Sequence, residues 1–128
     1  MKGFGKQNPS KNNNKEKLIN KAISSHLDGD ISKAKTYYKI CIEKGFDDPR
    51  VFTNYGLILK GQGNLEQAEL LYRQAIKFHP DFAEAYYNLG NILKERRKLE
   101  EAERFYRKAI EIKHDFSEAY CNLGMICE

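Results

Sequence analysis

Four asparagines, Asn20, Asn54, Asn88 and Asn122, recur along this 128-residue chain at a fixed step of 34 residues. The same step joins Ala34, Ala68 and Ala102, then Tyr38, Tyr72 and Tyr106, then the small residues Ala22, Gly56, Gly90 and Gly124. Cys41, Ala75 and Ala109 mark one more small position. A chain with such a period is built from copies of one supersecondary unit, each unable to bury its apolar face alone and dependent on its neighbours for a continuous core. Counting from Lys15, Pro49, Ala83 and Ser117 gives repeats at 15–48, 49–82 and 83–116 and a partial repeat at 117–128.

Within a unit the small residues fall at positions 8, 20 and 27 and larger apolar ones at positions 4, 7, 11, 17 and 24. In the second unit these are Phe52, Tyr55, Leu59, Leu65 and Tyr72. Steps of three and four put positions 4, 7, 8 and 11 on one stripe of a helix, and the later set forms a stripe on a second helix. Small residues facing large ones let two antiparallel helices approach closely. Gly29 and Gly63 stand where the chain must leave the first helix through a left-handed residue, with Asp30 and Asn64 as the next N-caps. Asp48 with Pro49, and the segments Asp81-Phe-Ala-Glu84 and Asp115-Phe-Ser-Glu118, are expected to cap and open the following helices. The fold class expected is all-α, a solenoid of antiparallel helix pairs with one extra helix.

Charge bears on the partner. The net charge is +4, and five lysines against one glutamate in the first seventeen residues account for all of it. The rest of the chain is neutral overall, without the field that phosphate binding needs, so no nucleic-acid partner is expected. Residues 1–16, polar and rich in Asn and Lys, are read as a basic tail without structure, ahead of a helical domain at 17–128. No apolar run is long enough to span a membrane or to serve as a secretory signal, so the expected location is the cytoplasm. Cys41, Cys121 and Cys127 are an odd number without ligand spacing and are read as reduced thiols in small packing sites.

The segment YYNLGNILKERRKLEEAERFYRKAIEI resembles a tetratricopeptide (TPR) unit, with Leu89-Gly90, Ala102, Tyr106 and Ala109 in the signature places. The resemblance runs over about residues 17–128 and is weaker in repeat one, where Lys21 and Ser25 hold positions that call for apolar side chains. RNA-reading pentatricopeptide repeats have a similar length but lack this pattern. The resemblance implies a right-handed superhelix with the first helix of each repeat lining its concave wall, and a role in holding another polypeptide. The Asn spacing together with EAYCNLG is also similar to the arrays that precede the catalytic domain of O-linked N-acetylglucosamine transferases. Bacterial proteins with TPRs ahead of glycosyltransferase, sulfotransferase or methyltransferase domains share it. Two functions follow as expectations: a protein-interaction module, or the substrate-presenting arm of an enzyme whose active site lies beyond Glu128.

Position 6 lies about 200° round the helix from position 4, so the four asparagines should point away from the core stripe into the groove. Leu57, Lys60, Tyr87, Asn91, Lys94 and Met125 flank that line, with Thr53, Glu84, Glu95 and Cys121 beside them. A carboxamide can satisfy both polar groups of one peptide unit, so a row of them can clamp an extended backbone; it can equally bond within or between repeats. The chaperone-binding members of the family grip a terminal carboxylate with Lys and Asn at positions 5 and 9, then Lys and Arg at positions 2 and 6 two repeats later. Here those places hold Ile19, Ile23, Glu84 and Asn88 in one frame and Thr53, Leu57, Glu118 and Asn122 in the next, so no such clamp is expected.

Nothing in the sequence assembles a catalytic site, and no cofactor or metal is expected. His26, His79 and His114 fall at helix ends or links, and no ligand-spaced cluster occurs. Glu69 with Arg73, Glu100 with Arg104 and Glu103 with Arg107 read as ion pairs of a solvated face. KERRK, residues 94–98, puts Arg97 and Lys98 where the other turns have glycine and a cap, giving a basic knob. The last helix carries a stripe of Tyr120, Leu123, Gly124 and Cys127 with no second helix to cover it. That stripe implies either a longer chain or self-association through the uncapped end.

Overall fold

The computed structural model describes the backbone of residues 9–127 and the side chains of residues 14–126; among these it holds seven helices and no strand. The described residues form two compact units, one ending at Phe46 and one beginning at Asp47.

The first unit is a hairpin of α1 (Pro9–Leu27) and α2 (Ile31–Glu43). Residues 9–16, expected to belong to an unstructured tail, are instead the opening turns of α1. Pro9 suits a first helical position because its missing N–H would have had no partner there, and a helix already nucleated extends at little cost. The Lys15 ammonium also gains a tertiary contact, 5.4 Å from the centre of the Phe46 ring. Residues 1–8 of the expected tail lie outside the described residues. The weak fit of repeat one is confined to the start of its stripe: Ala22 and Ser25 are buried at positions 8 and 11, whereas Lys21 is exposed and Ile19, one place past Leu18, is fully buried.

The second unit stacks α3 (Pro49–Gly61) on α4 (Leu65–Phe78) and α5 (Ala83–Glu95) on α6 (Leu99–Ile112), with α4 packed against α5 and α7 (Ser117–Cys127) against α6. The small positions of the period mark the closest approaches. A Cβ on Gly56 would lie 2.5 Å from the Tyr72 ring, and one on Gly90 2.7 Å from the Tyr106 ring, so only glycine lets those helices meet. Leu59, Ala68, Tyr72, Leu89, Leu93, Ala102 and Tyr106 make one continuous core. The core is wider than the stripe at positions 4, 7, 8 and 11, because Ala85 and Ile92 at positions 3 and 10 are also fully buried. The cause is that α5 packs against α6 and against α4, so it buries two stripes and not one.

Gly29 and Gly63 both leave their helices at φ 83°, and Arg97 holds the equivalent place at φ 65°. Asp30 caps α2 by accepting from the Lys33 N–H at 3.2 Å, and Asp48 caps α3 by accepting from the Arg50 N–H at 2.9 Å. Asn64 stands at the N-cap of α4 but makes no side-chain cap bond. The capping box expected from Asp81 is absent, since α5 opens at Ala83 with Phe82 at its N-cap. The preceding turn explains the shift: the Phe82 N–H donates to the His79 carbonyl at 3.1 Å, which carries the chain one residue past Asp81 before the helix begins. His79 itself is a boundary strut whose Nε2–H donates to the Asp47 carbonyl at 2.7 Å.

Of the expected helical ion pairs, Glu69 with Arg73 and Glu103 with Arg107 form at 3.0 Å each. Glu100 and Arg104 are both exposed and make no ion pair with each other. The basic knob is partly neutralised, because Arg96 reaches Glu69 at 2.7 Å. Cys41 fills a small core site as expected, whereas Cys121 is exposed on α7, and the Cys127 side chain lies outside the described residues.

Candidate functional site

The faces of α3, α5 and α7 within the second unit enclose an open trough of about 340 Å³. Its floor and walls include Asn54, Leu57, Tyr87 and Asn88, with Phe82 and Phe116 at one side and Arg50, Glu84, Lys113 and Glu118 at the rim. The rim cations are held by their own chain: Arg50 pairs with Asp48 at 2.8 Å, and Lys113 pairs with Glu84 at 3.4 Å while lying over the Phe116 ring at 4.6 Å. Tyr87 is fixed against Phe116 and Tyr106, with ring centres 4.9 and 6.0 Å away. The result is a half-apolar channel with internally balanced charge and two carboxamides on its surface.

The ten residues expected to line a groove do not all meet in it. Asn54, Leu57, Tyr87 and Asn88 do. Leu57 is exposed and Asn54 and Asn88 are half-buried; neither carboxamide is hydrogen-bonded to another of the described residues. Asn122 is half-buried and committed: its Nδ2 donates to Asn91 Oδ1 at 2.8 Å and to the Tyr87 hydroxyl at 3.3 Å. Asn91 Oδ1 also accepts from the Tyr106 hydroxyl, which makes Asn91 the hub of a polar network joining α5, α6 and α7. Lys60 pairs with Glu95 at 3.4 Å. Lys94 and Met125 line a separate hollow with Arg97, Leu99 and Ile126. Asn20 belongs to the first unit, exposed on α1 beside Lys17, Ser24 and Tyr37. Thr53, placed on the wall by its position, is buried, and its hydroxyl donates to the Pro49 carbonyl at 2.8 Å.

Two features escaped the sequence reading. One is the network around Asn91, for which the signal was a polar residue at position 9 where the preceding repeat has leucine. The other is the Tyr72 hydroxyl, fully buried with no hydrogen-bond partner. Such a group forfeits its hydration for nothing in return, a loss of about 1–3 kcal/mol. Burial raises the Tyr72 phenol above its usual range, with the Glu95 carboxylate adding to the effect. Burial also lifts Tyr106, to about 12; Tyr87 and Glu95 push the same way, and the Asn122 carboxamide pulls it down.

Residues 83–116 match the family model of the tetratricopeptide repeat, and residues 56–96 match a further TPR model. With the helix pairs and the buried Gly–Tyr contacts in place, that match decides the family. This is a tetratricopeptide-repeat protein. Solved TPR structures superpose on it closely. The first TPR domain of Spaghetti (RPAP3), bound to the HSP90 peptide SRMEEVD, matches with a TM-score of 0.82 at 22% identity, over 88% of this chain and 90% of that one. The type III secretion chaperone SycD of Yersinia enterocolitica, in complex with a peptide of the translocator YopD, gives 0.79 at 18% identity, over 87% and 90%. A mutant O-GlcNAc transferase of Thermobaculum terrenum gives 0.80 at 24% identity; the TPR chain described here matches over 88% of its length but spans only 22% of that enzyme. At these identities the likeness is one of fold. No curated protein matches the sequence. Among the described residues of the TPR chain no helix is long and apolar enough to cross a membrane, and no three His, Cys, Asp or Glu side chains stand together as a metal site.

Proposed function

We propose that this TPR chain is a protein-interaction module that holds an extended segment of a partner polypeptide against α3 and α5. The observation that carries the reading is the trough in which two unbonded carboxamides, Asn54 and Asn88, stand beside the exposed Leu57 and the half-exposed Tyr87. Each carboxamide can give and take one backbone hydrogen bond, worth ~1 kcal/mol net. Two rungs fall short of the ~4–15 kcal/mol that association loses in freedom of motion, so Leu57 and Tyr87 must add apolar contact with the partner's side chains. Because both rim cations, Arg50 and Lys113, are paired with carboxylates of the chain itself, the trough favours a ligand recognised through its backbone and apolar groups. That Spaghetti and SycD structures of this fold carry bound peptides supports the same reading.

A second reading is favoured by the Thermobaculum terrenum neighbour, in which a segment of this fold is part of an O-GlcNAc transferase chain. There the same trough would present substrate polypeptides to a catalytic domain. Both readings need the trough to bind peptide. Selection from a random dodecapeptide display library on the full chain, followed by titration calorimetry, tests this. The Asn54→Ala/Asn88→Ala double variant is expected to bind the selected peptides at least about tenfold more weakly. Peptides indifferent to both asparagines would remove the docking reading.

A further inference from the structure

Repeats two and three place equivalent residues 34 apart, and a single substitution between them changes what the trough offers. In repeat three, Asn91 accepts hydrogen bonds from both the Tyr106 hydroxyl and the Asn122 carboxamide. Tyr87 provides the second acceptor for Asn122. One step earlier the same places are held by Tyr72, Asn88, Leu57 and Thr53. Leucine cannot accept, and the Thr53 hydroxyl is turned back onto the Pro49 carbonyl. Among the described residues Tyr72 accordingly keeps a buried hydroxyl without a partner, and Asn88 keeps a carboxamide with none. The two tyrosines are otherwise seated alike, each with its ring against the glycine that precedes the differing residue, Gly56 or Gly90.

A buried hydroxyl left unsatisfied where the neighbouring repeat shows how to satisfy it is stability forgone at one place, and losses of that kind gather at functional sites. We propose that Leu57 determines where along the trough a partner is read: it keeps the Asn88 carboxamide open to a peptide unit of an extended polypeptide, while Asn91 ties the next carboxamide, Asn122, to the chain itself. The footprint is therefore Asn54, Leu57, Tyr87 and Asn88, and it stops short of Asn122. Leu57 contributes twice, since its exposed side chain also faces the ligand. This inference rests on the docking reading above and narrows it to one segment of the surface.

The test is Leu57→Asn in the full chain, with Asn88→Ala and Asn122→Ala beside it. Supplying the missing hub should raise the melting temperature by about 2–5 °C. It should also slow water exchange of the Asn88 side-chain amide protons, followed by NMR, towards the rate of those of Asn122. Dodecapeptides selected on the unaltered protein should bind Leu57→Asn and Asn88→Ala at least about fivefold more weakly, and Asn122→Ala within twofold. Three results overturn the proposal: an unchanged or lower melting temperature for Leu57→Asn, equal exchange at Asn88 and Asn122 in the unaltered protein, or peptide binding that Leu57→Asn leaves unchanged. If the peptides depend on Asn88 but not on Leu57, the inference fails and the docking reading stands. If they depend on neither Asn54 nor Asn88, both fail.

Discussion

Tyr72 and Tyr106 occupy the same position in successive repeats and are both fully buried, yet one hydroxyl has a partner and the other has none. Removing the oxygen should therefore have opposite effects. Tyr72→Phe deletes an unsatisfied group and is expected to stabilise the fold by about 1 kcal/mol, whereas Tyr106→Phe strips Asn91 of a donor and should destabilise it by about the same amount. Urea midpoints of the two variants check this; a loss of stability in both would mean that the Tyr72 hydroxyl is satisfied in solution. The same burial sets an alkaline limit. The phenol of an unfolded chain ionises near pH 10, while Tyr106 is held up to about 12 in the fold and Tyr72 is raised as well. Below pH 10 both rings are protonated in either state and their contribution is complete. As pH rises above 10 the unfolded chain releases protons first, so stability falls, by about 1.4 kcal/mol per pH unit for each tyrosine, until the folded rings ionise too. Denaturation midpoints at pH 9, 10.5 and 11.5 should show that fall, and it should be shallower in Tyr106→Phe.

At the scale of the helix and its ends, the turn between α5 and α6 is the poorest of its kind. Arg97 adopts φ 65°, where Gly29 and Gly63 adopt 83°, and Lys98 stands at the N-cap of α6 without a side-chain bond. A left-handed residue with a Cβ costs about 1–2 kcal/mol, and a good cap contributes about 1 kcal/mol. Arg97→Gly is expected to raise stability by about 1 kcal/mol, and adding Lys98→Asp by up to about 1 more, as read from thermal melts. A lower melting temperature for the double variant would show that Arg97 makes a contact worth more than its strain. The strained residue was legible in the sequence because the period placed it where two other repeats have glycine. Asp81 was misread because a capping box is only a local pattern: whether Asp81 or Phe82 sits at the helix start depends on the turn at His79, and that turn is tied to the Asp47 backbone 32 residues away. The second stripe of α5 was missed for a related reason. Periodicity in one helix shows which residues share a face, but the number of neighbours that helix has is a property of the stack.

For the whole molecule, period and fold were readable together, since a repeat that cannot bury its own face specifies its neighbours. The site was readable only in part. Asn54, Asn88 and Asn122 hold the same position in their units, and the sequence alone treats them as one ladder; what separates them is the residue across the groove, Leu57 or Asn91, a contact between repeats. The same distinction governs what the protein should refuse. Its fold superposes on that of a TPR domain bound to the peptide SRMEEVD, which carries three acidic side chains besides its terminal carboxylate. The positions at which that kind of ligand is gripped hold, in the second unit, a buried Thr53 with its hydroxyl turned inward, the apolar Leu57, the carboxylate of Glu118 and an Asn122 bonded to its own chain. Glu118 would repel an acidic terminus, and the nearest rim cations, Arg50 and Lys113, are already paired with Asp48 and Glu84. An exposed ion pair contributes only about 0–1 kcal/mol, so breaking one releases its cation at small cost, but a single recruited cation cannot replace a set of preplaced donors. SRMEEVD titrated into the full chain should give no measurable heat of binding at physiological salt. The double variant Leu57→Asn/Glu118→Lys, which restores half of the grip, should begin to bind it, more strongly at low salt than at high. Micromolar affinity in the unaltered chain would show that the trough reads charge after all.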